Sequence, residues 1–246
     1  VETNQFIKIS KYYDKLMAGV PYVYWVKYIE DILDSLNFTP LSILDVACGT
    51  GVVSKKLFDK GFNVTGFDLS EDMIEVAKKN YEDIDFYVQN AKNFEIDKKF
   101  DLAVSLFDSL NYITNKNDLQ SSFFQIRKHL NSNGYLIFDM NTEYALSNNF
   151  FAQINIEPDR YPHYVWTPTW DPKTKICEVK MVFHMKEDDG EIIEFKEYHV
   201  QRAYSLEELS YMLEKSGFEV VNIYSAYKFT KPTRRSDRVY FVCKAI

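Results

Sequence analysis

Cysteine is scarce in this 246-residue chain. Cys48, Cys177 and Cys243 are odd in number, widely spaced, and form neither a CxxC pair nor a zinc-ligand spacing. A disulfide framework is thereby excluded, and thiols in a reducing cytoplasm are expected. The four histidines (129, 163, 184 and 199) make no HExxH or HxxxH arrangement, so no metal site is expected. No apolar run approaches the ~18 residues of a membrane span. The start, Val1-Glu2-Thr3-Asn4, lacks the basic-then-apolar pattern of a signal segment. Positive charge is also in deficit: 29 Lys and Arg stand against 36 Asp and Glu, a net charge of −7. An acidic balance argues against general attraction to nucleic acid or an anionic membrane, while leaving room for a local basic patch. Glycine (8) and proline (7) are few, and 46% of residues are hydrophobic against 26% charged. Those proportions exclude collagen and disorder.

Aromatic residues are what the chain has in surplus, 40 in all. They fill a core, line a pocket, or do both. The length suits one α/β domain with an elaboration, and a core of that size needs no staple.

Residues 5–36 read as helical, with Ile29, Ile32, Leu33 and Leu36 at one-face spacing and Gly19 and Pro21 as a break upstream. The aromatic segment Tyr12-Tyr13-Asp14-Lys15-Leu16-Met17 before that break is either core packing or a lid over a ligand. From residue 41 strands alternate with helices. Strands are predicted at 41–47, 63–69, 85–88, 100–107 and 135–140. Helices are predicted at 52–60, at 70–80 with Ser70 as cap, and at 118–130. Continuous apolar strands in that alternation predict a parallel sheet covered on both faces. After residue 141 the pattern becomes antiparallel, with long strands at 163–170, 175–186 and 191–204 and a hairpin at Asp189-Gly190. The third of these shifts phase, from Ile193 and Phe195 to Tyr198 and Val200, which predicts a bulge. A helix capped by Ser205 with Glu208 in a capping box follows, then strands at 218–227 and 238–244.

The chemistry concentrates where the first strand ends: Leu44-Asp45-Val46-Ala47-Cys48-Gly49-Thr50-Gly51, with a helix directly after. The second strand ends Gly66-Phe67-Asp68-Leu69-Ser70. A ligand lies across the carboxyl ends of parallel strands at such a point. Gly49 and Gly51 admit positive φ and close approach of the backbone. Asp68, 17 residues beyond Gly51, can accept both hydroxyls of a ribose; its other reading is a cap for the next helix. A dinucleotide fingerprint needs a third glycine where this chain has Ser54, and a pyrophosphate gains nothing from Asp45. A cationic ligand head does.

The D-x-A-C-G-T-G run followed by a strand ending in Asp resembles the class I S-adenosylmethionine-dependent methyltransferases. The resemblance spans residues 41–140 and includes Gln89-Asn90-Ala91 and Phe107-Asp108-Ser109. The flanking Tyr13-Asp14-x-Leu16-Met17 and Pro21-Tyr22 are similar to a small bacterial branch of unassigned substrate, near the amino-sugar and glycine N-methyltransferases. The resemblance implies an α/β fold: a seven-stranded, mostly parallel, Rossmann-like sheet with helices on both faces. An antiparallel β insert and an N-terminal helical lid are added to it. The expected division is 1–36 lid, 37–140 cofactor-binding core, 141–204 substrate-roof insert and 205–246 the rest of the core. The cofactor implied is S-adenosyl-L-methionine. By resemblance Asp45 orients its ammonium, and Ala47, Cys48, Gly49, Thr50 and Gly51 form the loop beneath the methionine and ribose. Cys48 is a packed residue there rather than a nucleophile. Asp68 binds the ribose and Leu69 packs on adenine. Asn90, where relatives often have Asp, and Ala91 flank the adenine. Phe107 lines the far side, and Tyr13 closes over the methionine part.

Methyl transfer from a sulfonium is an in-line displacement, so positioning does most of the work, roughly 7–11 kcal/mol. A base matters only when the acceptor arrives protonated. Asp108 and Tyr13 are the candidate catalytic residues, with His199 behind them. Trp166, Trp170, Tyr198 and Tyr204 are candidates for an aromatic wall, with Gln201 and Arg202 as polar handles. Lys231, Arg234, Arg235 and Arg238 form a basic cluster that keeps a nucleic-acid acceptor as a rival, although the Asn/Asp-Pro-Pro-Tyr/Phe motif of base-amine methyltransferases is absent. A non-catalytic cofactor binder is the alternative from another class. The expected partner is a small-molecule acceptor, with no membrane, in a monomer or homodimer.

Overall fold

The computed structural model describes residue 6 and residues 9–157, 161–187 and 189–246. Parts of the expected N-terminal helix, residues 5, 7 and 8, lie outside the described residues. Helices α1 (Ser10–Leu16) and α2 (Tyr22–Ser35) are separated at Gly19 and Pro21, where the pattern predicts a break. The chain continues as β1 (Ser42–Val46), α3 (Val52–Phe58), β2 (Asn63–Asp68), α4 (Glu71–Asn80), β3 (Asp85–Val88), β4 (Phe100–Ser105), a 3-10 turn (Ser109–Tyr112), α5 (Lys116–His129) and β5 (Leu130–Asn141). Next come α6 (Glu143–Ser147), β6 (Gln153–Asn155), β7 (His163–Asp171), β8 (Ile176–Lys186), β9 (Ile192–Arg202), α7 (Leu206–Lys215), β10 (Phe218–Ser225) and β11 (Arg238–Ala245).

Seven strands make one sheet in the order β10-β11-β5-β4-β1-β2-β3. The pairs from β5 through β3 are parallel, while β11 is antiparallel to both β5 and β10. Successive strand residues feed opposite layers. Ile43, Leu102, Ile137 and Val242 pack with Ile29, Ile32 and Leu33 of α2 and with Leu57 of α3. Their neighbours Leu44, Ala103, Phe138 and Phe241 pack with Phe123 and Ile126 of α5 and Leu213 of α7. That double coverage is why these strands read as unbroken apolar runs.

The chain leaves β1 toward β2 and β3, then returns on the other side of β1 as β4. The loops after β1 and β4 therefore run in opposite directions, the switch point at which α/β sheets of this kind place a ligand cleft. The second sheet, β6-β7-β8-β9, is wholly antiparallel. Cys177, Val179, Met181, Phe183 and Met185 of β8 face its buried side, as their alternation predicts, and pack with Ile9 and with Tyr12, Tyr13 and Leu16 of α1.

Two local readings are corrected. Strand β5 begins at Leu130, directly after α5, rather than at residue 135. Strand β9 carries no bulge: it pairs with β8 in unbroken register from Ile176↔Arg202 to Lys186↔Ile192. The shift in hydrophobic phase has another cause. Phe195, Glu197, His199 and Gln201 alternate on the buried side, while Lys196 and Tyr198 face outward. The geometry stays regular and the chemistry of the inward face changes.

Candidate active site

The loop after β1 takes three left-handed residues in five: Ala47 (φ 58°), Gly49 (φ 56°) and Gly51 (φ 79°). A Cβ on Gly51 would lie 2.7 Å from the Phe86 ring, so glycine is required there for space as well as for φ. A Cβ on Gly49 would meet no protein atom within 4 Å, which leaves the inner side of the loop open. Asp68, at the end of β2, ties the loop down. Its Oδ2 accepts from Gly49 N–H at 2.9 Å and its Oδ1 from Ser70 N–H at 2.9 Å. Capping and ligand binding are thus compatible: each oxygen retains acceptor capacity. Ser70 itself caps α4 by accepting from Met73 N–H.

Asp45 lies beneath the loop, 2% exposed, and accepts from the Ser54 hydroxyl at 2.5 Å. Burial pushes its carboxyl up to about 7, against the Ser54 hydrogen bond, with the Asp68 charge adding to the rise. Ser54 stands where a dinucleotide loop has its third glycine, so here that position serves the acid. Burial also raises the Cys48 thiol well above its ordinary value, with Asp45 and Asp68 adding, and this suits a packed residue. Thr50 donates to Asp14 Oδ1 at 2.6 Å, which joins α1 to the loop. Leu69, directly after β2, is exposed. Asn90 and Ala91 are half-buried after β3; the Asn90 carbonyl oxygen accepts from Lys92 N–H and keeps a second lone pair.

On the β4 side, Phe107 (φ 65°) and Asp108 (φ 51°) are consecutive left-handed residues. Such a conformation is held only when its surroundings demand it. Phe107 stacks on Trp25 with ring centroids 5.0 Å apart, and Arg238 lies over its other neighbourhood at 5.5 Å. Asp108 accepts from Arg238 and Gln201, and its own N–H donates to Asp139. Asp139 is paired with the same guanidinium. Arg238 is therefore committed to the interior, and the basic cluster expected at 231–238 keeps only Lys231, Arg234 and Arg235 at the surface. These contacts from β9 and β11 fix the position of the Asp108 side chain.

Tyr13 of α1 packs beside the core of the second sheet. Burial raises its phenol well above the ordinary value, and Tyr22, Tyr112, Asp108 and Asp68 all add to the rise. It stands between the cofactor loop and the β4 side. The expected aromatic wall is not assembled. Tyr198 is 55% exposed on the outer face, and Tyr204 is buried in the main core with its hydroxyl donating to Ile113 C=O. Trp166 and Trp170 pack on the buried face of the insert. Arg202 donates to Thr114 C=O. Sequence reasoning missed Tyr112, Glu197 and Asp139. Holding the period of two through β9 would have placed Glu197 inward with His199 and Gln201.

A family model described as a methyltransferase domain matches residues 43–134. A Geobacillus sp. protein bearing only the general name of a methyltransferase is 32% identical over 240 residues, 95% of this chain and 96% of the relative. An S-adenosylmethionine-dependent methyltransferase from Clostridium acetobutylicum superposes with a TM-score of 0.86 at 28% identity, covering 98% and 99% of the two chains. A dTDP-3-amino-3,4,6-trideoxy-α-D-glucopyranose N,N-dimethyltransferase from Streptomyces venezuelae is 29% identical over 124 residues, half of each chain. The glycine loop, the buried Asp45 beneath it and Asp68 beside it suit a ligand with a cationic amino-acid head and a ribose, and this chain belongs to the S-adenosylmethionine-dependent methyltransferases.

Proposed function

We propose that this chain methylates a small-molecule acceptor at nitrogen or oxygen by direct in-line transfer. The observation that carries this is how its own segments cover the cleft. Asp14 of α1 is bonded to Thr50 of the cofactor loop, while Glu197 of β9 accepts from the backbone N–H groups of Phe6 and Ile9. Phe6, Ile9 and α1 thus link the cofactor loop to the second sheet, a closure that suits a small acceptor better than a polymer. The amino-sugar relative supports the same class of acceptor. The loss of Arg238 from the surface cluster weakens the nucleic-acid reading. Free cysteines support a cytoplasmic setting, and a monomer or homodimer would suffice.

In this reading Asp45 faces the ammonium, Asp68 the ribose hydroxyls and Leu69, Asn90 and Ala91 the adenine. The 47–51 loop forms the floor, and Tyr13 and Phe107 border the methionine part. When bound, S-adenosylmethionine supplies an electrophilic methyl group on a sulfonium. The chain's part is to hold the acceptor's lone pair in line and to exclude water.

The test has two stages. S-adenosylmethionine or S-adenosylhomocysteine at ~100 times its dissociation constant should add about 2.7 kcal/mol, a rise of roughly 5–11 °C in melting temperature, with none from NAD. Release of S-adenosylhomocysteine is then followed with panels of small amines, alcohols and carboxylates, and with RNA and DNA. Turnover on nucleic acid alone would overturn the small-molecule reading, and binding without any turnover would favour a sensor.

Asp45 makes cofactor binding depend on pH. An unfolded carboxyl titrates near 3.8, whereas Asp45 in the fold holds its proton up to about 7. A raised carboxyl pKa contributes stability at low pH that is lost as pH rises through about 7. An ammonium beside the carboxyl reverses the preference, so binding below pH 7 releases this proton. Affinity is expected to rise by up to ~10-fold per pH unit from pH 5 to 7 and to level off above 8. Titration calorimetry in two buffers should show proton release at pH 6 that Asp45→Asn abolishes. No proton release at pH 6 would remove the ammonium role.

A further inference from the structure

Tyr112, His199 and Glu197 form a connected chain of side chains leading away from the cleft. Tyr112 ends the 3-10 turn after β4, and its hydroxyl lies 3.0 Å from His199 Nδ1. His199 Nε2 lies 2.9 Å from Glu197 Oε2. Glu197 and His199 are 2% and 3% exposed, while Tyr112 is only half-buried. Of the three, Tyr112 is the member with exposed surface, and its neighbours Asp108 and Tyr13 are residues of the candidate site. The Tyr112 phenol faces Asp108 and Glu197 from one side, with Tyr13 nearby on α1.

The hydrogen-bond directions follow from the partners. Glu197 Oε1 accepts from Ile9 N–H at 2.8 Å, and Oε2 accepts from Phe6 N–H at 3.1 Å. Backbone N–H groups only donate, so both oxygens act as acceptors, and His199 Nε2–H is a third donor to them. With its proton at Nε2, His199 presents a lone pair at Nδ1. Tyr112 then donates its O–H to Nδ1, which leaves its oxygen free to accept, as from the Gln201 amide. The remaining surroundings are consistent. Among the described residues, the charged groups outside this chain that face the Tyr112 phenol are Asp108 from the β4 loop, already held by Gln201, and Arg238 from β11, committed to Asp108 and Asp139. From β8, Val179 and Met181 stand opposite His199 and Glu197 and are apolar. The Phe6 ring lies edge-on at 4.6 Å from the imidazole.

We propose that Tyr112, backed by His199 and Glu197, takes the proton from an acceptor amine that arrives as its ammonium. The inference rests on the small-molecule reading above and narrows it to a protonated primary or secondary amine. The ammonium N–H bond breaks and its electron pair stays on nitrogen, free to attack. The proton passes to the Tyr112 oxygen as the phenolic proton of Tyr112 moves to His199 Nδ1. Tyr112 ends neutral, and His199 ends as an imidazolium with Nε2–H held by the Glu197 carboxylate. The proton later returns to water after the methylated amine leaves. Such relays contribute ~10²–10⁴-fold in rate. Tyr112 touches the acceptor; His199 and Glu197 act through it.

Two measurements on the full chain test this. The first is long-range 1H–15N spectroscopy of histidine-labelled protein without ligands; the chain has four histidines, and His199→Gln assigns the one in question. The Nε2–H tautomer at neutral pH is expected, and Glu197→Gln should disturb it. An Nδ1–H tautomer would overturn the relay, since that nitrogen would have no lone pair for the proton. The second compares pH–rate profiles for a dTDP-linked 3-amino sugar and a panel of simple primary amines. Tyr112→Phe should lower kcat by ~10²–10³-fold at pH 7 with S-adenosylmethionine binding unchanged, and the deficit should shrink as pH rises and the amine loses its proton in solution. A Tyr112→Phe profile parallel to the parent's would overturn the proposal while leaving the methyltransferase reading intact. Turnover by the parent on alcohols alone would overturn the amine assignment, and turnover on nucleic acid alone would overturn the reading beneath it.

Discussion

Arg238→Met is expected to destabilise the fold by about 3–5 kcal/mol, the loss typical of leaving a buried charge without its partner. The guanidinium is 17% exposed and answers two carboxylates at once, Asp108 (7%) and Asp139 (0%). Methionine fills much of the volume and answers neither. Asp139 is already raised by burial, with the Arg238 charge opposing that rise. Once the charge is gone, Asp139 should keep a proton to higher pH. A raised carboxyl pKa gives stability that is lost as pH rises, so the deficit of the variant should be largest above neutrality and shrink on acidification. Urea denaturation at pH 5.5 and 8 would show both effects. Arg238→Lys, which keeps the charge and loses the planar fork, should fall between. A midpoint change worth less than about 1 kcal/mol in the Met variant would mean that the two carboxylates are satisfied some other way.

Asp68→Ala should weaken S-adenosylmethionine binding at least ~100-fold. Hydrogen bonds to a charged group contribute about 1.5–3 kcal/mol each, and a ribose offers two hydroxyls. The loss has a second source in the protein itself. Gly49 N–H and Ser70 N–H both donate to this carboxylate, so the alanine variant also releases the loop that forms the floor of the site. Asp68→Asn keeps acceptor capacity toward one side and should lose only about tenfold. Calorimetric titration of the three proteins would measure it. An alanine variant binding within threefold of the parent would remove the ribose role from Asp68.

These two residues differ in how far the sequence announces them. Asp68 ends a short apolar strand, and Gly49 and Gly51 end another. Each lies in a local pattern that buried parallel strands impose on their own residues. The strand ends and the glycine turn of the candidate site were legible for that reason. Tyr13 and Asp108 could be placed there only through the family resemblance. The other half has no local pattern. Residues 6, 13, 112, 139, 197, 199 and 238 meet because β11 lies beside β5 and the second sheet folds back over β4. Arg238 looked like one of four surface cations, because spacing carries no information about a carboxylate 99 or 130 residues away. The misread bulge in β9 has a related cause. Hydrophobic alternation reports burial only while the buried face is apolar, and Glu197, His199 and Gln201 break that link without breaking the strand. The aromatic wall failed for the converse reason: Tyr198 alternates outward and Tyr204 belongs to another core.

The position of β11 also bears on how the molecule comes into being. It lies between β5 and β10, yet it follows both in the chain. Until residues 238–245 leave the ribosome, β5 is an open sheet edge, a template for pairing with other chains. Asp108 and Asp139 meanwhile wait without their cation. The same late strand closes the edge and neutralises the pair, so a nascent chain has no finished catalytic cleft at any earlier length. Ribosome-stalled chains ending before residue 238 would be protease-sensitive and unable to retain S-adenosylmethionine, and protection should arrive in one step as this strand emerges.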